Sequence, residues 1–458
     1  MPYENEQSSH SAVRRIAENP RVRDLLSRYQ IRQPERREEV PLVTVSRSQL
    51  PPSEWQPSYI LAVDGSFKAV SILNGYPGAE AAYITVACIL QNIARIRQLD
   101  EHRPVLPTEF RKTQETEALD HVLPGCNVVY AGDINAKVSF RRTLYDLLQS
   151  QAMAEGGETL LDTYETLLTH KPDNQRVQHC PLDDACPLDE SAQNEYRPQA
   201  GIYSCRCKKK HEWFSTDALR IHERMLPYGG SNERIYSEVI QVLERIWIVH
   251  ILRTLRTQKW LTSLKRIAIL IDGPLAVFGQ PAWISQAISK ELFALNKDVY
   301  GATGMDLILM GIEKTGEFIN HFEQLDQTDE GGQGKFPKQT AALLTDDYIK
   351  RNIYYSDSDK PYGMGTYFGR KLLYKTMTGE RIVATLPYLH DNHKDWDNAD
   401  VSQFPRLADA MALMDELISS RYKNALDPIV MAHAEATLPS KIGSKVLEKL
   451  ARELTTRI

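Results

Sequence analysis

Two apolar runs, far apart in the chain, end on the same acid-glycine pair. Tyr59-Ile-Leu-Ala-Val63 leads into Asp64-Gly65-Ser66, and Arg266-Ile-Ala-Ile-Leu-Ile271 leads into Asp272-Gly273-Pro274-Leu275. A short apolar run without alternation reads as a strand covered on both faces, which requires a sheet with helices on each side. In open α/β sheets ligands gather at the carboxyl ends of the strands, so the two pairs place two carboxylates where chemistry can be done. Asp-Gly is also an ordinary turn signal, and one copy alone says no more than that. Two facing carboxylates repel and raise each other's pKa unless a cation neutralises them, and hard oxygen donors suit Mg²⁺ or Mn²⁺.

The surrounding pattern gives those strands a setting. Phe67–Leu73 and Ala82–Leu90 read as β-strands on either side of the turn signal Asn74-Gly75-Tyr76-Pro77-Gly78, so three successive strands predict an antiparallel meander. From Asp133 to about His170 the apolar residues fall three and four apart, as in helices. A long helix is expected over Glu233–Arg256, too apolar for a one-faced surface helix and therefore central. A helix over Ser285–Asn296, a strand over Met305–Gly311, a Gly-rich loop over 326–337 and a hairpin over Tyr367–Leu386 turning at Thr378-Gly379-Glu380 follow. The expected class is α/β, a mixed sheet flanked by helices. Its parts are an N-terminal helical extension over 1–55, a core over 56–440 with a Cys-rich insertion at 171–213, and a C-terminal helix over 441–458.

Composition excludes several functions. The 458 residues carry 55 Lys+Arg against 60 Asp+Glu, a net charge of −5, so any nucleic-acid contact is a local patch rather than bulk polycation binding. No apolar run approaches the ~18–20 residues of a membrane span. The N-terminus lacks a signal-peptide pattern, and 6 cysteines are too sparse for a secreted disulfide scaffold, which points to a reducing cytoplasm. Basic stretches available for DNA are Cys207-Lys-Lys-Lys-His211, Arg253–Lys265, and Arg370-Lys371 beside Tyr367 and Phe368, where cations and aromatics adjoin. Taken singly, each of them reads more readily as a solvated charge run than as a DNA contact.

The long helix offers a third carboxylate. Glu238 and Glu244 stand roughly 240° apart at ~100° per residue, so only one faces the sheet. Periodicity favours Glu238, which shares a stripe with Ile235, Val242 and Ile246. Lys314, in Gly311-Ile-Glu-Lys-Thr-Gly316, follows a strand and can hold a phosphate near a metal. The chain contains no Walker A match, so an ATPase reading has no support. In the insertion, Cys180, Cys186, Cys205 and Cys207, with His211 nearby, offer soft ligands for a structural Zn²⁺ in a loop without its own core; reduced, unliganded thiols are the other reading. Cys88 and Cys126 lie in apolar segments and read as core.

The order AVDGS, a helix with Glu, LIDGPL, GIEKTG and a C-terminal AHAEA resembles the NurA nuclease family over about residues 58–440. The resemblance implies an RNase H-like fold related to the PIWI domain and an Mn²⁺-dependent nuclease acting on DNA. It also implies a homodimer working with a HerA-type hexameric ATPase in DNA-end processing or anti-phage defence. Carried over by position, the metal-binding residues fall on Asp64, Asp272 and, for the helix, Glu244 rather than Glu238. A late His falls on His433, a residue that no local pattern singles out. The alternative is a non-catalytic DNA-binding subunit that regulates the ATPase.

Overall fold

The first apolar run does not stop at Asp64. In the computed structural model, Tyr59–Leu73 is one continuous strand that absorbs both segments expected over 59–63 and 67–73. The structure describes residues 10–30, 40–73, 75, 77–97, 113–176, 179–182, 186, 195–206, 208–327, 334–391, 395–437 and 442–454. Cys207, two residues of the turn at 74–78 and the middle of the Gly-rich loop therefore lie outside the described residues. The strands in chain order are β1 (Val43–Ser46), β2 (Tyr59–Leu73), β3 (Ala79–Asn92), β4 (Gln114–Pro124), β5 (Ile202–Ser204) and β6 (Glu212–Phe214). They continue with β7 (Ile267–Asp272), β8 (Leu309–Glu313), β9 (Thr340–Leu343), β10 (Gly369–Lys375) and β11 (Arg381–Pro387).

Among the described residues one large sheet runs β1-β9-β10-β11-β8-β7-β2-β3-β4, and β5 and β6 pair by themselves. The expected meander exists, but its members are β2, β3 and β4. β7 lies parallel to β2, with Val63 opposite Ile271, and β8 lies parallel to β7. The β10–β11 hairpin turns at Gly379, whose φ of +102° is open to glycine.

Residues alternate between two cores across this sheet, as the period of a strand requires. Val63, Ile269, Ile271 and Leu309 pack under the helices Ala136–Ser150, Leu160–Thr169, Glu233–Thr257 and Ile284–Thr303. Ile60, Ala62, Ala268, Leu270, Met310 and Ile312 face the opposite layer, which holds the helices Leu407–Leu417 and Asp427–Ala436. Burial on both faces explains why β2 and β7 begin as unbroken apolar runs.

The N-terminal boundary is corrected. The chain divides into two units, Met1–Val40 and Pro41–Ile458. The first contains two short helices, His10–Glu18 and Pro20–Arg28, as its mixed charge suggested. Residues 41–55, expected in the extension, belong to the second unit, where β1 pairs with β9 at the sheet edge. A four-residue edge strand gives little apolar signal. The C-terminal helix is Ile442–Leu454, and among the described residues no helix is long and apolar enough to cross a membrane.

Candidate active site

The two Asp-Gly pairs meet because β2 and β7 are neighbours in parallel register. β7 ends at Asp272 while β2 runs on with β3, so Asp64 emerges within a strand and Asp272 at the end of one. Each carboxylate accepts a hydrogen bond from the next amide: Gly65 N donates to Asp64 Oδ1 at 2.8 Å and Gly273 N to Asp272 Oδ1 at 3.1 Å. The two glycines serve different ends. Gly273 has φ +78°, the left-handed region. At Gly65 space is the constraint, since a Cβ there would stand 2.8 Å from Ile240 Cγ2 and 2.9 Å from Glu244 Oε1. The missing side chain lets the Glu233–Thr257 helix lower Glu244 onto the sheet.

From the other layer the Asp427–Ala436 helix brings His433, whose Nδ1 is 2.7 Å from Asp64 Oδ2. Ser66 holds that helix in place by donating its hydroxyl to the Ala436 carbonyl. Asp64, Asp272 and His433 each offer a ligand atom, all within 4.8 Å of one another. Lys314 Nζ lies 3.0 Å from Asp272 Oδ2. The side chains line a cleft of about 780 Å³ together with Gln241, Glu244, Arg245, Tyr422 and Lys423.

Charge in this cleft is densely balanced. Burial first, and the Asp272 carboxylate second, push Asp64 above its ordinary range, while His433 and Lys314 pull it back. Arg245, buried beneath the cleft, pairs with Glu244 and donates to the carbonyls of Asp272 at 3.3 Å and Pro274 at 3.0 Å. Burial lowers its guanidinium to about 10, with Asp272 and Asp64 opposing.

A family model of the NurA domain matches residues 59–438. The chain belongs to the NurA family. Among solved structures it is similar to the NurA nuclease from Sulfolobus solfataricus at 7% identity, over 90% of this chain and 86% of that one, with a TM-score of 0.34. It is also similar to a second structure, described as NurA, at 10% identity over 98% and 99% of the two chains, with a TM-score of 0.28. No curated protein matches.

Asp64, Glu244, Asp272, Lys314 and His433 lie within the NurA match and line the cleft, and of the six residues read as its acids, lysine and histidine all but one are there. The exception is Glu238, which periodicity favoured. Its carboxylate pairs with Arg224 and lies 3.6 Å from Arg234, over Gly279 and away from the aspartates. This helix is buried on most of its circumference, so an apolar stripe does not mark one face of it. Sequence reasoning missed Arg245 and Ser66; the only signal for either was adjacency to Glu244 and Asp64.

The proposed basic path is also corrected in part. Arg370 and Lys371 are buried, Arg370 on the carbonyls of Asp395 and Asn398 and Lys371 on Glu313. Arg253 is committed to Glu158 and Glu291. Cations on buried strands and helices find internal partners, carboxylates or carbonyls, instead of meeting solvent. Cys88 and Cys126 are buried, as expected of core residues.

Proposed function

We propose that this protein is a metal-dependent deoxyribonuclease that hydrolyses phosphodiesters at DNA ends or in single strands. The observation that carries the reading is the convergence of Asp64, Asp272 and His433 within 4.8 Å, beside Lys314, in an open cleft. The donor set fits Mn²⁺ or Mg²⁺. Two carboxylates and an imidazole are oxygen and borderline nitrogen donors, and burial first and Asp272 second disfavour the charged form of Asp64, a cost that a bound cation would relieve. Asp64, Asp272 and His433 would hold the ion, with Glu244 within reach of the same cleft. When bound, it supplies a Lewis acid for the phosphate and a water of lowered pKa.

The chain's own groups do the rest. The Lys314 ammonium, fixed by Asp272, offers its remaining protons to a phosphate oxygen as charge builds there. Arg245 holds Glu244 and clamps the backbone at 272–274, which keeps the second aspartate at its place. Before an ion binds, His433 with its proton on Nδ1 donates to Asp64 while Nε2 accepts from Thr437 Oγ1 at 3.2 Å, which holds the imidazole beside the aspartates; as a ligand it would give up the Nδ1 proton.

The strand order β4-β3-β2-β7-β8, a meander followed by two parallel strands, supports an RNase H-like reading. Family membership supports extending the proposal to a homodimer that works with a HerA-type hexameric ATPase in end processing or defence. The test is Mn²⁺-dependent degradation of labelled single- and double-stranded DNA by the parent protein and by Asp272→Asn, with thermal melting as the folding control. Hydrolysis that disappears in a folded variant supports the reading. DNA bound without hydrolysis by the parent would favour the non-catalytic subunit.

A further inference from the structure

The Cys-rich insertion has a centre made of sulfur. Cys180, Cys186, Cys205 and Trp213 form a small buried cluster of their own, with Leu182 and Tyr203 packed against it. The β5–β6 hairpin carries half of it. Its two strands have three residues each, Tyr203 lies opposite Trp213 with the rings 5.6 Å apart, and Cys205 N donates to the His211 carbonyl at 2.8 Å. An isolated hairpin of that length is not stable in water. Four buried side chains are a thin apolar core, so something else must hold this segment together.

The distances identify it. Three Sγ atoms lie within 4.8 Å of one another, and Cys186 Sγ is 3.9 Å from Cys205 Sγ. A disulfide needs about 2.05 Å, so the pair is not bonded. With Zn–S of about 2.3 Å and Zn–N of about 2.05 Å, tetrahedral edges are about 3.8 Å for S···S and about 3.5 Å for S···N. His211 Nδ1 stands 3.5 Å from Cys180 Sγ. We propose that Cys180, Cys186 and Cys205 bind a structural Zn²⁺ as thiolates, and that the hairpin loop between β5 and β6 supplies the fourth ligand. That loop holds both His211 and Cys207, the latter outside the described residues. The site is independent of the nuclease reading.

The experiment uses the full chain, purified reduced and without chelator, with metal content measured by mass spectrometry. The expected result is one zinc per chain. It should be retained in the double variant Asp64→Asn, Asp272→Asn and lost in Cys186→Ser. Because a Cys variant can fail to fold, the parent is also exchanged with Co²⁺, where a thiolate-to-cobalt charge-transfer band is expected. Loss of zinc from Cys207→Ser or from His211→Ala supports closure by the hairpin loop and names the ligand; retention in both overturns that closure. Absence of zinc from folded parent protein, iron in its place, or loss of the zinc with the aspartates would each overturn the site.

Discussion

His433 Nδ1 sits 2.7 Å from Asp64 Oδ2, which ties the last helix of the NurA domain to the strand that opens it. Asp64 is 4% exposed while the imidazole is 55% exposed, so the histidine is the solvent-side member of the pair. His433→Ala should therefore leave the fold intact and lower Mn²⁺-dependent hydrolysis by at least roughly 10–100-fold, the loss already usual for a group that only orients a ligand. Steady-state DNA cleavage with a matched melting curve checks it. Undiminished cleavage would remove His433 from the site.

Asp64 makes a stability prediction with a definite sign. Burial and Asp272 raise its carboxyl above the ordinary 3.8. A carboxyl whose folded pKa exceeds its unfolded value costs stability at neutral pH, and the cost is relieved as pH falls from the raised folded value toward 3.8. Asp64→Asn keeps the shape and removes the charge. In EDTA the variant should melt above the parent at pH 7, and the gap should close through that acid window. Added Mn²⁺ should raise the melting point of the parent only. A variant that melts lower at pH 7 would show that the charge stabilises the metal-free site, contrary to the case for a cation.

Much of this was legible in the sequence, and the reasons are specific. Asp64 and Asp272 could be found because a strand buried on both faces leaves an unbroken apolar run, and the acid that ends it stands out. Lys314 followed for the same reason after β8. His433 could not be found locally, because nothing in Ala432-His433-Ala434 reports that the helix lies against β2; only the order of motifs along the chain supplied it. The end of β2 was misplaced because Gly65 reads as a turn, whereas its purpose is to admit Glu244 from the neighbouring layer.

Glu244 and Glu238 should respond unequally to the same change. Glu244 lines the cleft beside Arg245, whereas Glu238 is held by Arg224 and does not line it. Glu244→Gln should reduce hydrolysis by several orders of magnitude if the carboxylate reaches the ion, with little change in KM for DNA. Glu238→Gln should retain activity and lose about 1–3 kcal/mol of stability, as expected when a partly buried charged hydrogen bond is weakened. Chemical denaturation and cleavage assays on both variants separate the two. An inactive Glu238→Gln beside an active Glu244→Gln would return the third carboxylate to the residue that periodicity favoured.

Gly65→Ala tests whether the layers must touch at this point. The added methyl would stand 2.8 Å from Ile240 Cγ2 and 2.9 Å from Glu244 Oε1. The glutamate can swing aside, but Ile240 is buried on a helix packed along β2 and β3, so the helix itself must move. Overpacking of this kind costs about 1–3 kcal/mol. The same movement withdraws Glu244 and Arg245 from the aspartates, so activity should fall further than stability. Gly273→Ala meets a different obstacle, because its nearest neighbour is Arg245 Nη2 at 3.4 Å and the strain lies in a φ of +78°. Gly65→Ala should therefore be rescued in part by Ile240→Leu, which keeps the volume but has no Cγ2 methyl on the crowded side, and Gly273→Ala should not. Melting and cleavage measured across the single and double variants decide it, and a fully active, fully stable Gly65→Ala would mean that the helix does not need this approach to seat its glutamate.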